Sequence, residues 1–334
     1  MDNREKGDCC MQKAITKRKE KQDPARKAIR LKARQKNIEY WKSNWQPYLL
    51  ILPVIIYFVL FKYMPLYGIQ IAFKDYKITT GIWESKWVGF DHFERFFDAY
   101  YFERLLSNTF LLNIFWLLCS FPVPIILALL LNRIRKHRVK RIIQTTIYVP
   151  YFISTIVLAG MLYIFLSPSS GLLNIIREAM GMKAVDWMSD AGAFRGIYII
   201  SGIWQTAGYS SILYIATLTS IDQEMYEAAE IDGANIWQKI WYIDIPSVIP
   251  TAVMILILDI GKLMSTDTTK VLALQTPGNI PTSDILGVYV HNVGLGQGLF
   301  SYTTAIGLFI NVINFVLVIS ANKISKKLSN TSLF

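Results

Sequence analysis

The chain has 334 residues, of which 53% are hydrophobic, and its mean hydropathy of +0.32 is high for a water-soluble protein of this length. Its 35 Lys and Arg outnumber 24 Asp and Glu, giving a net charge of +11. The excess falls in short blocks beside long apolar runs. That pattern argues against a nucleic-acid-binding surface and marks the cytoplasmic side of a membrane.

In chain order, residues 1–45 hold 14 basic and 6 acidic side chains. They lack an apolar core before Tyr48, so no cleavable signal peptide is expected there. Residues 26–45 read as a basic helix on the membrane surface, with Leu31, Ile38, Trp41 and Trp45 near one face. Cys9, Cys10 and Cys119 make no disulfide framework, and His92, His137 and His291 have no metal-ligand spacing. Six apolar segments follow, at about 47–70, 107–131, 142–166, 196–218, 247–265 and 302–321, each near the length that crosses hydrocarbon. Between the second and third, residues 132–141 carry six Lys and Arg and no acid. With the N-terminal tail inside, segments 132–141, 219–246 and 322–334 are inside too, and the inside segments hold 24 of the 35 basic residues. The expected fold is an all-α membrane protein of six transmembrane helices with both termini cytoplasmic. A basic tail covers 1–45, the membrane domain 46–325 and a cytoplasmic C-terminal tail 326–334. The outer segments 71–106, 167–195 and 266–301 are candidates to contact an extracytoplasmic protein, with plain connecting loops as the alternative.

The inside segment 219–246 carries the most specific pattern. Glu227-Ala228-Ala229 is followed after three residues by Gly233, after nine more by Ile243, and then by Ile245-Pro246. The small alanines permit close approach by a partner. Asp232-Gly233 signals a sharp reversal between two short helices, since Gly tolerates positive φ. Ile236, Ile240 and Ile243 fall at helical spacing with Trp237 and Trp241 beside them, and Pro246 is expected to end the run. Asp222, Glu224, Glu227, Glu230 and Asp232 make the first half acidic, suited to basic groups on a partner.

This stretch resembles the coupling loop of the membrane-spanning subunits of ABC importers, departing from the family pattern only in Ile245 where Leu precedes the proline. The resemblance extends over residues 45–327, through Met64-Pro65-Leu66-Tyr67-Gly68, Ile71-Ala72-Phe73-Lys74-Asp75-Tyr76 and Ser301-Tyr302-Thr303-Thr304-Ala305-Ile306-Gly307. It is nearest to permeases for complex, uronate-containing oligosaccharides such as polygalacturonate, aldouronate and alginate. The resemblance implies the type I permease fold and a bacterial inner-membrane location. It also implies a heterodimer with a second permease, two ATPase subunits at the coupling loop, a solute-binding protein outside and an oligosaccharide as cargo. Glu227, Ala228, Ala229, Asp232, Gly233, Ile243 and Pro246 would carry the coupling. The sequence has no phosphate-binding loop, so ATP and Mg²⁺ would sit on the separate ATPase and the chain itself would be no enzyme and hold no cofactor.

Sugar recognition needs flat apolar faces and hydrogen-bonding groups within the spans. Tyr151, Trp204, Gln205, Tyr209, Asn311 and Asn314 supply them, unless they serve instead to join helices. Lys62, Asp259 and Lys262 are the ionisable groups within spans. Either lysine is placed to draw a carboxylate into the path, while Asp259 and Lys262, three apart, can instead pair on one helix face. An ion-coupled secondary sugar transporter is the rival reading. It would have no need of an acidic helix–turn–helix on the inside, and it would more often show inverted repeats.

Overall fold

The structure, a computed structural model, describes residues 44–329, so the expected surface helix at 26–45 lies almost wholly outside it, as does the end of the C-terminal tail. The described residues fall into two compact units that divide at Gly68 and Ile69. In the first, α1 (Trp45–Phe58) runs into a π-helical turn, Val59–Tyr63, and then a 3-10 helix, Met64–Phe73, which crosses the division. Leu49, Leu50, Ile55 and Phe58 are all exposed, and α1 buries no side chain. Among the described residues, four segments are long and apolar enough to cross a membrane: Trp45–Phe73, Phe102–Asn132, Ile236–Ile260 and Phe300–Lys327. A fifth candidate is a bent pair of helices.

The second unit opens with a two-residue antiparallel ladder, β1 (Lys74–Asp75) on β2 (Lys86–Trp87), a small exception to the all-α expectation. Phe73 stacks on Trp87 at 5.9 Å across its edge. Helix α2 (Asp91–Phe97) leads to α3 (Phe102–Ser120) and α4 (Pro122–Asn132), which together form the second span. The third expected span, 142–166, is not one helix. It is α5 (His137–Tyr148), a 3-10 turn at Val149–Phe152, and α6 (Thr155–Phe165), bent by 98°. Two residues explain the break. Pro150 offers no N–H to a helical ladder, and Ser154 starts a new helix by accepting a 3.3 Å hydrogen bond from the Val157 N–H. Gln205 Nε2 donates to the Ile153 carbonyl at the break, at 2.7 Å.

After α7 (Leu172–Ala179) comes α8 (Ala191–Thr219), the expected fourth span. Its 29 residues reach about 43 Å at the usual helical rise, yet it is less apolar than the other four. It is the central helix, packed along α4 and also against α3 and α5, and it buries Phe194, Tyr198, Ser201, Gly202 and Tyr214. A helix enclosed by neighbours need not be apolar around its whole surface. Helices α9 (Gln223–Ile231) and α10 (Ile236–Lys239) follow. Then α10, a π turn at Ile240–Asp244 and α11 (Ile245–Ile260) run on as a single 25-residue span. Pro246 therefore does not end the run. It lies in the first turn of α11, and the wide π turn before it leaves room for its ring. The fifth span begins and ends several residues before its expected limits of 247 and 265.

The segment 266–301, expected to lie outside, is a packed part of the core rather than a loop. It folds into α12 (Thr268–Leu274) and α13 (Leu286–His291), and Val271, Leu274, Ile285, Leu286 and Val288 are all fully or almost fully buried. Asn279 staples it to segment 167–195, donating to the Met188 carbonyl at 2.8 Å and the Leu274 carbonyl at 2.9 Å. The last helix, α14 (Phe300–Ser329), contains the sixth expected span. Buried Asn314 on α14 accepts from the Met264 N–H at 2.9 Å and donates to Ser265 Oγ at 2.9 Å, which ties α14 to the chain just past the fifth span. Replacing it by Leu strands the Met264 N–H. We expect Asn314→Leu to destabilise the detergent-solubilised protein by about 1–3 kcal/mol. An unchanged melting temperature would show that this link is dispensable.

Candidate functional site

The segment 219–246 builds a compact projection from its own local signals. Asp222 caps α9, accepting from the Glu224 N–H at 3.1 Å. The reversal falls at Gly233, with φ of +76°, where the Ala234 N–H returns to the Ala229 carbonyl at 2.8 Å and the Gly233 N–H to the Glu230 carbonyl at 3.1 Å. A side chain at that φ would cost about 1–2 kcal/mol. Helix α10 then opens with a reciprocal capping box. The Gln238 N–H donates to Asn235 Oδ1 at 2.9 Å, and the Asn235 N–H donates to Gln238 Oε1 at 2.7 Å.

A buried charge fastens this projection to the rest of the molecule. Asp244 is fully buried; its Oδ2 pairs with the Arg133 guanidinium, just after α4, and its Oδ1 accepts from the Tyr226 hydroxyl of α9 at 2.5 Å. Arg133 also lies 5.7 Å from the Tyr226 ring centre. Burial first, and then donation to Asp244, push the Tyr226 hydroxyl up to about 12, so it stays a donor at neutral pH. A second tie joins the two short helices: Lys239 Nζ, almost fully buried, donates to Glu230 at 2.6 Å and holds that carboxyl below its usual range.

Of the residues expected to couple, Glu227, Ala228, Asp232, Gly233 and Pro246 are exposed, Ala229 is half-buried and Ile243 is buried. Ile236, Trp237, Trp241 and Tyr242 are exposed on the second half. The expected single face through Ile236, Ile240 and Ile243 is therefore split. The π turn adds a residue to the helical repeat and turns Ile243 inward while Ile236 faces out. The result is a capped, internally tied projection, acidic in its first half and aromatic in its second. The sequence reading missed Asp244, Arg133 and Tyr226. The only local trace of them is a lone acid one residue before Ile245-Pro246, next to an apolar span.

A second constellation lies between α3, α8 and the end of α11. A polar cavity of about 230 Å³ is lined by Asn113, Trp116, Gln205, Asp259, Lys262 and Lys270, among others. A neighbouring cavity of about 530 Å³ shares Trp116, Thr206 and Asp259 with it and adds Tyr209 and Ser210. Tyr209 stacks on Tyr151 at 3.9 Å with the rings 6° apart. The structure thus gathers Gln205, Tyr209, Asp259 and Lys262, with Tyr151 attached through its stack. It does not gather the rest. Trp204 turns to an apolar groove with Leu158 and Phe165, Asn311 is exposed on α14, and Asn314 is committed to Met264 and Ser265. Lys62 is exposed in the first unit. Asp259 and Lys262 form no ion pair, which leaves both charged ends at the cavity wall.

Lys270, absent from the sequence candidates, is buried beside this cavity and donates to the Tyr198 carbonyl at 2.9 Å, its Nζ 4.7 Å from the Tyr198 ring centre. Gly202 makes room for it: a Cβ there would lie 2.8 Å from Lys270 Nζ and collide with the Trp116 ring. Asp267 caps the helix that carries Lys270, at 3.1 Å from its N–H.

The family described as binding-protein-dependent transport system inner membrane component matches residues 120–330. The chain is 42% identical to protein LplB of Bacillus subtilis (strain 168) over 88% of its own length and 92% of that protein's. It is 40% identical to the polygalacturonan/rhamnogalacturonan transport system permease protein YteP of the same organism, over 86% of this chain and 89% of the other. Among solved structures, it resembles a chain of a bacterial alginate ABC transporter in complex with an alginate pentasaccharide-bound periplasmic protein. The TM-score is 0.81 at 36% identity, covering 88% of this chain and 99% of that one.

Breaking a buried ion pair on one side leaves an unpaired charge and costs about 3–5 kcal/mol. Asp244→Asn is therefore expected to expose 219–246 to limited proteolysis and to lower thermal stability. Adding Arg133→Gln in the same chain should recover part of the loss, because the second charge is then gone too. Equal cleavage of wild type and Asp244→Asn would show that the pair does not anchor the loop.

Proposed function

The chain belongs to the binding-protein-dependent transport system inner membrane components, as a permease subunit of an ABC importer, and from that premise we propose that it forms one half of the translocation path for an acidic oligosaccharide. A second permease supplies the other half. Two ATPase subunits dock at 219–246 from the cytoplasm and carry the ATP and Mg²⁺, and a solute-binding protein delivers the sugar from outside. The proposed topology has six spans, with α8 as the fourth and α5–α6 as a broken third, and both termini cytoplasmic in a bacterial inner membrane. Polygalacturonan, rhamnogalacturonan and alginate, in the names of relatives, support an acidic cargo.

The observation that carries this reading is the projection at 219–246: two short capped helices around a positive-φ glycine, exposed outward and anchored inward through buried Asp244. A docked ATPase that closes on ATP would move this element as a rigid body. Because α10 runs on into α11, such a movement reaches the fifth span without a flexible joint between them. Alternating access follows, with the sugar entering an outward-open cavity and hydrolysis resetting the subunits. In this scheme Gln205, Tyr209, Asp259 and Lys262 face the sugar, Tyr151 and Tyr209 offer a stacking platform, and Lys262 pairs with a uronate carboxylate.

The reading is tested in the reconstituted complex with its own ATPase and binding protein. Gly233→Val is expected to insert normally and to reduce ATP-dependent uptake to background, and normal uptake would overturn the coupling assignment. For the cargo, Lys262→Gln is expected to raise the apparent KM for a uronate oligosaccharide by about tenfold, the worth of one partly solvated charge contact, with a smaller effect on a neutral one. Lys62→Gln provides the comparison within the first unit. If both variants take up the charged sugar as wild type does, neither lysine guides its carboxylate.

A further inference from the structure

The two cavities between α3, α8 and α11 meet at Trp116, Thr206 and Asp259, one residue from each helix, which line both of them. The cavities are also ordered along the spans. On α8 the smaller is lined between Tyr198 and Thr206. The larger is lined between Ile203 and Tyr214, toward the end that leads to the projection at 219–246. On α3 and α4 the smaller takes Asn113, Trp116 and Leu117, and the larger continues to Pro124, nearer Arg133 and its tie to Asp244. On α11 the larger takes Ile255, nearer the start of that helix, while the smaller runs from Asp259 past its end to Lys262 and Leu263. Three elements thus give one order. The small polar cavity lies farther from the projection, the larger lies nearer, and Trp116, Thr206 and Asp259 form the neck between them.

The position of Trp116 at this neck depends on Gly202. A Cβ on Gly202 would lie 2.4 and 2.7 Å from Cζ3 and Cη2 of the indole. Tyr198 meets the ring edge-on at 6.0 Å, and Lys270 Nζ lies over it, 5.9 Å from the ring centre. Leu112, one turn earlier on α3, is fully buried, whereas Trp116 is half-buried and borders both cavities. Core packing accounts for Leu112; it does not account for an indole left at the wall of two cavities.

The chemistry of the neck differs from that of the polar cavity. Of the three shared residues only Asp259 is charged, and it repels a carboxylate. The Thr206 hydroxyl already donates to the Gly202 carbonyl at 2.9 Å. What remains to hold a sugar ring is the indole, whose electron-rich face attracts the polarised C–H groups on one side of a pyranose.

We propose that Trp116 is a specificity-determining residue of the path, stacking a pyranose ring at the neck while the ring's carboxylate turns from Asp259 toward Lys262. The proposal rests on the reading of these cavities as the sugar path. It gives Trp116 a role distinct from that of the Tyr151–Tyr209 stack, which belongs to the larger cavity. Selection at the neck then acts on the shape of the ring, and selection in the smaller cavity on its charge.

The test uses the complete complex in proteoliposomes, with its ATPase and an excess of its binding protein, and radiolabelled trigalacturonate as the probe. Trp116→Leu fills much of the space without offering a flat face. It is expected to raise the apparent KM for uptake about fivefold, the worth of one aromatic stack, with little change in maximal rate. Trp116→Phe, which restores a face, is expected to recover most of the loss. A second readout is one that packing alone would not move. In wild-type complex arrested in its ATP-bound state with vanadate, trigalacturonate is expected to protect Trp116 from hydroxyl-radical oxidation, read by mass spectrometry. Should Trp116→Leu fail to assemble, this footprint decides by itself. Equal KM values for wild type and Trp116→Leu, or equal oxidation of Trp116 with and without the sugar, would overturn the proposal while leaving the path reading in place. A wild-type complex that takes up neither trigalacturonate nor a neutral trisaccharide would overturn the path reading, and this proposal with it.

Discussion

A single buried carboxylate organises the end of this molecule that carries the projection at 219–246. Asp244 sits where α10 gives way to α11, and its two oxygens are taken by groups from different parts of the chain, Arg133 after α4 and Tyr226 on α9. A lone carboxylate in that position would be costly, so the partners are obligatory once the acid is there. The consequence is geometric. The projection cannot tilt without either dragging α4 and the fifth span with it or exposing an unpaired charge. Rigid transmission in the proposed mechanism depends on that constraint more than on the exposed residues that meet the partner.

Much of this was legible in the sequence, for identifiable reasons. Four spans announce themselves through long, mostly apolar runs, and Gly233 announces a reversal through its residue type, whereas Asp222, read as an acid facing a partner, also caps a helix. The capping box at Asn235 and Gln238 is equally readable, since the Asn-x-x-Gln spacing states it. Other features were hidden because the sequence signal was shared with something else. The apolar residues on both sides of Pro150 merge into a plausible single span, and only the pairing of Pro150 with Ser154 marks the break. Pro277, Gly278, Pro281 and the other glycines of segment 266–301 are turn residues, and they disguise its part in the core. Yet they separate short helices that bury Ile285 and Val288 completely. Turn chemistry reports where the chain bends, not whether the bend is exposed.

The same distinction governs the candidate path. Residue type alone made Trp204, Gln205, Tyr209, Asn311 and Asn314 equivalent, all polar or aromatic groups inside spans. Helical phase separates them. Trp204 and Gln205 are neighbours in sequence, but 100° of rotation turns one to an apolar groove and the other to the polar cavity. Asn314 is accounted for by two protein partners 2.9 Å away, the ordinary fate of a buried amide. Lys270 escaped notice for the opposite reason. It lies outside the apolar runs in sequence, and reaches the cavity only because α12 folds back against α8, where the missing side chain of Gly202 leaves it space.

The charges around that cavity bear on how an acidic sugar could both enter and leave. Asp259 and Asp267 face Lys262 and Lys270 across the same small volume, so its wall is close to neutral in sum. A wall of lysines alone would attract a uronate strongly and release it slowly, and a transporter needs both steps. Here Lys270 is already engaged with the Tyr198 carbonyl, whereas Lys262 has no ion-pair partner among the described residues. One free cation, opposed by nearby acids, offers a carboxylate a contact whose strength is limited by competition from those acids. In the proposed path the aspartates thus matter as much as the lysines. Removing an acid would tighten the hold on a charged sugar and slow its release, so a cavity that binds it better would carry it more slowly.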